Sequence, residues 1–294
     1  MSTLKLIQII EQTADQFEKA DLFYGHGTDN AWDEAVSLVL ASLQLPFNIS
    51  DKNLDRNLSV EEVNRIQALA QCRIKEKKPL PYLINKAYFF GLEFYVDERV
   101  IIPRSPIAEL LENQLSPWIN HNQVHAILDL CTGSGCIAIA SAFVFENAKI
   151  DAVDINNEAL AVAAINCQRH DVTDQVTLIQ SDIFSNLVDK QYDIIISNPP
   201  YVSSYEMSTL PVEYSYEPTL ALIAKDEGLA IAINILKNAA KFLNDQGILI
   251  MEVGNSWQAL QARYPQVPFL WLEFTKGGEG IFLLTKEQLL NYQF

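Results

Sequence analysis

Residues 127–137 read Ile-Leu-Asp-Leu-Cys-Thr-Gly-Ser-Gly-Cys-Ile, an apolar run followed by a glycine-rich turn and a second apolar run. This pattern predicts a buried strand, a turn in which Gly133 and Gly135 allow positive φ and close approach of a ligand, and the start of a helix. The turn lacks the third glycine of the dinucleotide fingerprint. Asp129, just before the turn, is poorly suited to a pyrophosphate and suits a ligand that carries a cationic amino group.

Segments typical of strands and of helices alternate from Val124 onward. The expected strands are 124–130, 148–153, 175–180, 192–197, 247–253, 269–275 and 280–285, and the expected helices are 135–145, 156–169, 226–243 and 256–263. This alternation predicts an α/β fold with a mainly parallel, doubly wound sheet. The last two strands are joined only by residues 276–279, which is too short for a parallel crossover, so the final strand is expected to run antiparallel.

Two further acidic residues follow neighbouring strands. Asp154 at the end of the second strand can accept both hydroxyls of a ribose. Asp182, after the third strand, can accept from the exocyclic amine of adenine, and Ile183 can pack on the ring. Each acid alone is more typical of a turn, but three strand-end acids around one glycine turn favour a binding site. A ligand with an amino-acid head, a ribose and an adenine but no pyrophosphate is S-adenosylmethionine.

Asn-Pro-Pro-Tyr at 198–201 follows the predicted strand 192–197. Because proline lacks a backbone donor, the chain must leave the sheet at Asn198 with a stiff backbone, where open α/β sheets bind ligands. The Asn198 side-chain oxygen and the Pro199 carbonyl are both acceptors, so together they can hold both hydrogens of a planar NH2 group. The alternative is a strand-to-loop turn without chemistry.

The chain before this region is expected to form a small helical domain, 1–83. Its first helix carries an apolar face from Leu4 to Phe17, its second is capped by Asp29 and runs to about Leu45, and its third runs to about Lys78. The third helix is predicted from the capping box that Ser59 forms with Glu62.

Residues 84–102 are aromatic and β-prone around Gly91, so they predict a β-hairpin linker. The remainder, 103–294, is the expected catalytic domain. It opens with Pro-Arg-Ser-Pro at 103–106 and a helix over 107–119.

Composition narrows the classes of function. The net charge of −16 argues against direct binding to nucleic acid, whose phosphates are also negative. It favours a basic protein partner, or it serves only to keep the protein soluble. The four cysteines form no zinc pattern, so no metal is expected, and they indicate reduced thiols in a cytoplasmic protein. No apolar run reaches the length of a membrane span, and the first residues show no secretory signal.

Taken together, residues 124–285 resemble a class I S-adenosylmethionine-dependent methyltransferase, a Rossmann-like fold whose seven-stranded sheet has an antiparallel last strand. The 198–201 motif is typical of methyltransferases that act on planar nitrogens, mostly adenine-N6 DNA enzymes and protein-glutamine N5 enzymes. The helical N-terminal domain, the aromatic hairpin and Pro103-Arg104 make nearly the whole chain similar to the glutamine enzymes.

Two branches of the glutamine enzymes differ after the Pro-Arg pair. Release-factor enzymes usually continue as Pro-Asp/Glu-Thr-Glu, whereas here residues 103–110 read Pro-Arg-Ser-Pro-Ile-Ala-Glu-Leu. This segment and Gly-Gly-Glu-Gly-Ile-Phe-Leu-Leu-Thr at 277–285 resemble the branch that modifies large-subunit ribosomal protein L-three, which is thus the expected partner. A release-factor enzyme, an adenine-N6 nucleic-acid methyltransferase and a non-enzymatic assembly factor are the alternatives.

The resemblance implies a set of site residues. Cofactor contacts are expected from Asp129, Thr132, Gly133, Ser134, Gly135, Asp154, Asp182, Ile183 and Asn198, with Ile101 packing on the cofactor. Asn198, Pro199 and Tyr201 are the expected catalytic residues. Substrate contacts are expected from Asn198, Pro199, Pro200, Tyr201, Arg104 and Glu217.

Some of these roles have structural alternatives. Tyr201 either packs against the substrate amide or fills the loop as a hydrophobic plug. Glu217 is either a wall of the site or an ordinary loop acid, and Glu252 is expected to be structural. The N-terminal helices are the natural candidates for recognition of the protein substrate, on position and size alone.

Overall fold

The computed structural model describes residues 4–294, apart from the side chains of Asp51 and Lys52. Residues 1–3 of the predicted domain 1–83 lie outside the described residues. The helices are α1 Leu6–Glu18, α2 Ala31–Ser42, α3 Asp51–Leu54, α4 Val60–Glu76, α5 Leu80–Ile84, α6 Ile107–Glu112, α7 Cys136–Val144, α8 Asn157–Arg169, α9 Ser204–Met207, α10 Thr219–Leu222, α11 Ala230–Phe242, α12 Trp257–Arg263 and α13 Lys286–Asn291. The strands are β1 Ala87–Phe89, β2 Leu92–Phe94, β3 Ala126–Leu130, β4 Lys149–Asp154, β5 Val176–Gln180, β6 Tyr192–Ser197, β7 Leu243–Glu252, β8 Leu270–Trp271 and β9 Ile281–Thr285.

Within residues 4–294, seven strands form one sheet in the order β5-β4-β3-β6-β7-β9-β8. The pairs among β5, β4, β3, β6 and β7 are parallel, whereas β9 is antiparallel to both β7 and β8. This order confirms the predicted doubly wound sheet and its antiparallel last strand. The chain winds outward from β3 to β5 and returns to the other side of β3 at β6. The topological switch point therefore lies between β3 and β6, where such sheets bind ligands.

The central strands are buried on both faces. Ile127 and Leu128 on β3 and Ile194, Ile195 and Ile196 on β6 have no exposed surface. Parallel strands covered by helices on both sides require such continuous apolar runs. The switch point is thereby supported by a rigid core.

The chain divides into two compact units. One consists of the chain up to Ala87 together with Pro211–Tyr216, and the other consists of Tyr88–Leu210 and Glu217–Phe294. Apolar residues of α1, α2 and α4, among them Phe17, Leu38 and Ile66, form the core of the helical unit. The sequence did not suggest that Pro211–Tyr216 belongs with the helices.

Several helix boundaries differ from the predictions. The cap of α2 is Asn30, whose side chain accepts from the Asp33 N–H, and not Asp29. The predicted helix 107–119 ends at Glu112 because Leu115 has a φ of 56° and Pro117 cannot continue a helix. The predicted helix 226–243 begins only at Ala230, since positive φ angles at 226–228 exclude helix there.

Two strands also differ from the predictions. β8 covers Leu270–Trp271 and not 269–275, because the chain leaves the sheet and the N–H groups of Thr275 and Lys276 donate to the Glu109 carboxylate. β7 begins at Leu243, earlier than the predicted 247. The capping box of Ser59 and Glu62 on α4 is confirmed, and β1 and β2 form the predicted hairpin. Of the helices in residues 4–294, none combines the length and the apolar character that a membrane crossing would need.

Candidate active site

The glycine turn after β3 lies at the switch point of the sheet. Cys131, Gly133 and Gly135 have φ angles of 61°, 55° and 81°, which turn the backbone over the strand end and into α7. A Cβ at Gly133 would meet no atom within 4 Å, whereas one at Gly135 would lie 3.2 Å from the Cβ of Ala163 on α8. Gly133 therefore borders open space, and Gly135 is required for the packing of α7 on α8.

Asp129 lies buried beneath this turn. Its Oδ2 accepts from the Thr132 hydroxyl at 2.5 Å and from the Ala138 N–H at 3.1 Å. Its Oδ1 is buried without a hydrogen-bond partner among residues 4–294. Burial raises the pKa of this carboxyl to about 7, and the nearby Asp154 adds to the rise. Asp129 thus fixes the shape of the turn and keeps one acceptor that a cationic group would satisfy.

Asp154 ends β4 with both carboxylate oxygens oriented by the backbone. Its Oδ2 accepts from the Gly133 N–H at 3.0 Å, and its Oδ1 accepts from the Asn156 N–H at 2.9 Å. Burial raises the pKa of this carboxyl as well. Each oxygen retains a lone pair for a ligand hydroxyl.

A cleft of about 820 Å³, including its open mouth, runs along these strand ends. Among the residues predicted from sequence, the lining includes Ile101, Gly133, Asp154, Asp182, Ile183, Asn198 and Pro200. Thr132, Ser134 and Asp129 are buried beneath the turn instead.

Other lining residues were not anticipated from the sequence. They are Arg99, Val100, Cys131, Val153, Ile155, Asn156, Ala159, Ser181, Pro218, Leu220, Ala221 and Ile231. Ile155, Asn156 and Ser181 adjoin the strand-end acids, so the same strand-end rule could have found them. Pro218–Ala221 carried no signal beyond their nearness to Glu217.

Asn198 reaches the cleft from the end of β6. The Ser197 hydroxyl donates to the Leu130 carbonyl at 2.9 Å, which ties the end of β6 to the end of β3. Beyond the prolines, Val202 and the 222–224 segment exchange two backbone hydrogen bonds, of 2.9 and 3.0 Å. Across the described part of the chain, no hydrogen bond engages the Asn198 side chain. A stiff, doubly anchored loop therefore presents an available amide to the cleft.

Tyr201 anchors the same loop to the end of β7. Its hydroxyl donates to Glu252 Oε1 at 2.9 Å, and its carbonyl accepts from the Ser256 hydroxyl at 2.9 Å. Its ring lies directly against Gly254. These contacts support an anchoring role, and packing against a substrate amide stays a prediction.

Arg104 and Glu217, predicted separately, form one ion pair. Arg104 Nη1 and Nη2 lie 2.5 and 2.6 Å from the two carboxylate oxygens of Glu217. The Ile102 N–H donates to Glu217 Oε1 at 3.0 Å. Glu217 is buried, so this two-point contact positions the start of the cleft wall that follows it at 218–221.

The sequence of this chain is similar to those of known methyltransferases. The family model of the Methyltransferase small domain matches residues 108–213. A ribosomal protein uL3 glutamine methyltransferase of Francisella tularensis is 48% identical over 286 residues, which cover 97% of this chain and 90% of that protein. The enzyme of the same description from Neisseria gonorrhoeae is 48% identical over 285 residues, covering 96% and 95%.

A solved structure supports the fold alone. The hMettl16 catalytic domain, crystallised in complex with a MAT2A 3′UTR hairpin, is 16% identical with a TM-score of 0.50, covering 77% of this chain and 81% of that chain.

Proposed function

The chain belongs to the ribosomal protein uL3 glutamine methyltransferases, and we propose that it transfers a methyl group from S-adenosylmethionine to the N5 side-chain nitrogen of a glutamine in ribosomal protein L-three (uL3). The observation that carries the proposal is the available amide of Asn198 beside a cleft at the switch point. The strand-end carboxylates Asp154 and Asp182 line the cleft, and Asp129 lies buried beneath its glycine turn.

The residues of the cleft fit the methyl donor. The unpartnered Oδ1 of Asp129 suits the amino group of the methionine head, and open space at Gly133 admits close approach of a ligand. Asp154 would accept the ribose hydroxyls, and Asp182 with Ile183 would hold the adenine. When bound, the cofactor supplies an electrophilic methyl group on a sulfonium.

Asn198 and Pro199 would act on the substrate amide. A glutamine nitrogen is a weak nucleophile because its lone pair is delocalised into the carbonyl. The Asn198 side-chain oxygen and the Pro199 carbonyl would accept its two N–H bonds, orient its lone pair and stabilise the positive charge that grows on nitrogen. The methyl–sulfur bond would break as the bond to nitrogen forms, which leaves S-adenosylhomocysteine. The alkylated nitrogen would be far more acidic and would lose its proton to water, so no strong base is required before attack.

The charge of the chain suits this partner. A net charge of −16 would attract a basic ribosomal protein, and this attraction weakens as salt is added. We assign recognition of the protein substrate to the helical N-terminal region. Free thiols at Cys72, Cys131, Cys136 and Cys167 support a reducing, cytoplasmic setting.

Mass spectrometry of recombinant uL3 after incubation with the purified protein and S-adenosylmethionine tests the proposal. We expect a single added methyl on one glutamine, and none on a release factor treated in parallel. Asn198→Ala should abolish transfer while the affinity for S-adenosylhomocysteine stays within about tenfold, or about 1.4 kcal/mol.

The matched control is Asn238→Ala, which removes a half-buried asparagine amide from α11 and should leave transfer unchanged. Full activity of Asn198→Ala would reject the role of that amide. A methyl group found on the release factor and not on uL3 would reject the substrate.

A further inference from the structure

We propose that Glu252 is a positioning residue for methyl transfer, which locks the loop 198–201 to the turn 103–106 through Tyr201 and Ser105. The inference rests on the proposed function, since it assigns Glu252 the task of holding the loop that grips the glutamine amide. The sequence by itself predicts only a structural role for Glu252.

Strand register places Glu252 beside that loop. β6 and β7 are parallel, and Ser197 pairs with Met251, so Glu252 on β7 is level with Asn198 where the chain leaves β6. On its other side Glu252 pairs with Ile281 of β9, which holds it in the sheet. The carboxylate therefore projects from a rigid strand and not from a loop.

The two oxygens of Glu252 receive one donor each from different segments. Oε1 accepts from the Tyr201 hydroxyl at 2.9 Å, and Oε2 accepts from the Ser105 hydroxyl at 2.5 Å. Ser105 in turn accepts from the Ile107 N–H at 3.2 Å, which fixes its orientation at the start of α6. A buried carboxylate that bridges two hydroxyls joins the two segments because both bonds are charge-assisted and shielded from water.

Burial and the bonding partners shift the pKa of Glu252 in opposite directions, and burial has the larger effect. Burial raises the pKa of Glu252, but the hydroxyls of Ser105 and Tyr201 and the positive charge of Arg104 oppose that rise. Arg104 precedes Ser105 in the turn and also holds Glu217 before the cleft wall 218–221. The turn 103–106 therefore positions both the loop 198–201 and the cleft wall 218–221.

Ser105 is the residue that makes the link available. A proline at this position, as in the Pro-Arg-Pro pattern of the release-factor enzymes, has no hydroxyl and could donate nothing to Glu252. The link accordingly belongs to the Pro-Arg-Ser-Pro form of the motif.

Steady-state kinetics on uL3 with Glu252→Gln, Tyr201→Phe, Ser105→Ala and Ser105→Thr test the inference. We expect kcat to fall about tenfold or more in Glu252→Gln and several-fold in Tyr201→Phe and Ser105→Ala. The KM for S-adenosylmethionine should change less than about twofold, because the lock is not a cofactor contact. Ser105→Thr keeps the hydroxyl and should restore kcat to near the wild-type value.

The matched control is Ser116→Ala, an exposed serine in the same unit, which should be indistinguishable from wild type. Ser105→Ala and Ser105→Thr with equal kcat values would overturn the inference, as would a cofactor KM that rises as much as kcat falls. If Glu252→Gln does not fold, the Ser105 pair still decides the outcome. A wild-type protein that methylates no glutamine of uL3 would instead reject the proposed function itself.

Discussion

Two arginine–glutamate clusters involve the chain at 211–217, and they differ in how completely they exclude water. In the helical unit Arg73 is 1% exposed and pairs with Glu34 at 2.5 Å and with Glu213 at 3.3 Å. Its Nη2 also donates to the Phe23 carbonyl, and the Phe23 N–H donates to Glu213. The Thr28 hydroxyl donates to Glu34. One cation therefore serves two buried carboxylates, which need these extra donors to be satisfied.

In the methyltransferase unit the corresponding cluster contains the pair of Arg104 and Glu217. The Glu217 side chain is fully buried, but the Arg104 side chain is 26% exposed. The pair is bidentate and neutral as a whole, and the Ile102 N–H supplements it.

This difference in burial indicates different roles, stability for the Arg73 cluster and positioning for the Arg104 pair. Loss of one partner from a fully buried cluster leaves an uncompensated charge, whereas a partly exposed arginine can turn to water. We therefore expect the Arg73 cluster to determine whether the helical unit folds. The Arg104 pair should mainly determine where the cleft wall 218–221 lies.

The largest expected effect is that of Arg73→Met. It leaves the carboxylates of Glu34 and Glu213 buried without a cation, which should lower the free energy of unfolding by about 3–5 kcal/mol. Urea denaturation followed by circular dichroism, with hydrogen exchange of α2 and α4, measures the loss. A decrease below about 1 kcal/mol, the range of surface pairs, would contradict the comparison.

Glu217→Gln should have an intermediate effect. The amide keeps an acceptor for the Ile102 N–H but loses the charge-assisted pair with Arg104, which should cost about 1.5–3 kcal/mol. The same variant should weaken binding of S-adenosylhomocysteine, measured by calorimetry, because the wall 218–221 loses its support. Unchanged affinity together with reduced stability would assign Glu217 to stability alone.

Asp129→Asn extends the comparison of the two arginine–glutamate clusters to a buried carboxylate that is held by a hydroxyl and a backbone N–H. Its pKa is raised from an ordinary 3.8 to about 7, so between these values the native state binds more protons than the unfolded state. Stability should therefore fall as pH rises from about 4 to about 7 and level off above, by at most about 1.4 kcal/mol per pH unit. Asp129→Asn should remove this component.

Thermal unfolding of both proteins across that pH range gives the difference directly. S-adenosylhomocysteine should reduce the slope of the wild-type protein, because its amino group favours the ionised carboxylate. Parallel curves for the two proteins without ligand would contradict the assignment to Asp129.

Arg263→Met should have the smallest effect. Arg263 and Asp226 form a pair at 2.5 Å, but their side chains are 43% and 45% exposed. A pair of this kind is worth about 0–1 kcal/mol, and added salt screens it. Urea denaturation of this variant serves as the control for Arg73→Met and Glu217→Gln. An equally large decrease in its free energy of unfolding would show that burial does not determine how much these ion pairs contribute to stability.

The positions of the strand-end residues were predictable because their signals are local. Gly133, Asp154, Asp182 and Asn198 each follow an apolar strand, and parallel strands bring their carboxyl ends to one edge. The structure places all four on one cleft. Their contacts with cofactor and substrate remain predictions.

The predicted boundaries of helices and strands were wrong where contacts between distant parts of the chain determine the backbone conformation. The helix expected over 107–119 stops at Glu112, and its Glu109 turns to the backbone of Thr275 and Lys276. No periodicity in 107–119 encodes that contact. The contact with Glu109 draws Thr275 and Lys276 away from the sheet, so β8 ends before the predicted 275.

The amino-acid sequence alone determined the order of the seven sheet strands along the chain, the turn after β3, the exit from the sheet at Asn198 and the resemblance to the glutamine methyltransferases. Each of these follows from residues that are neighbours in the chain. Only the tertiary structure decided that Glu213 joins Arg73, that Glu217 joins Arg104 and that Glu252 joins Ser105 to Tyr201. Charge pairing depends on distance and on burial, and both are set by packing between segments far apart in the chain.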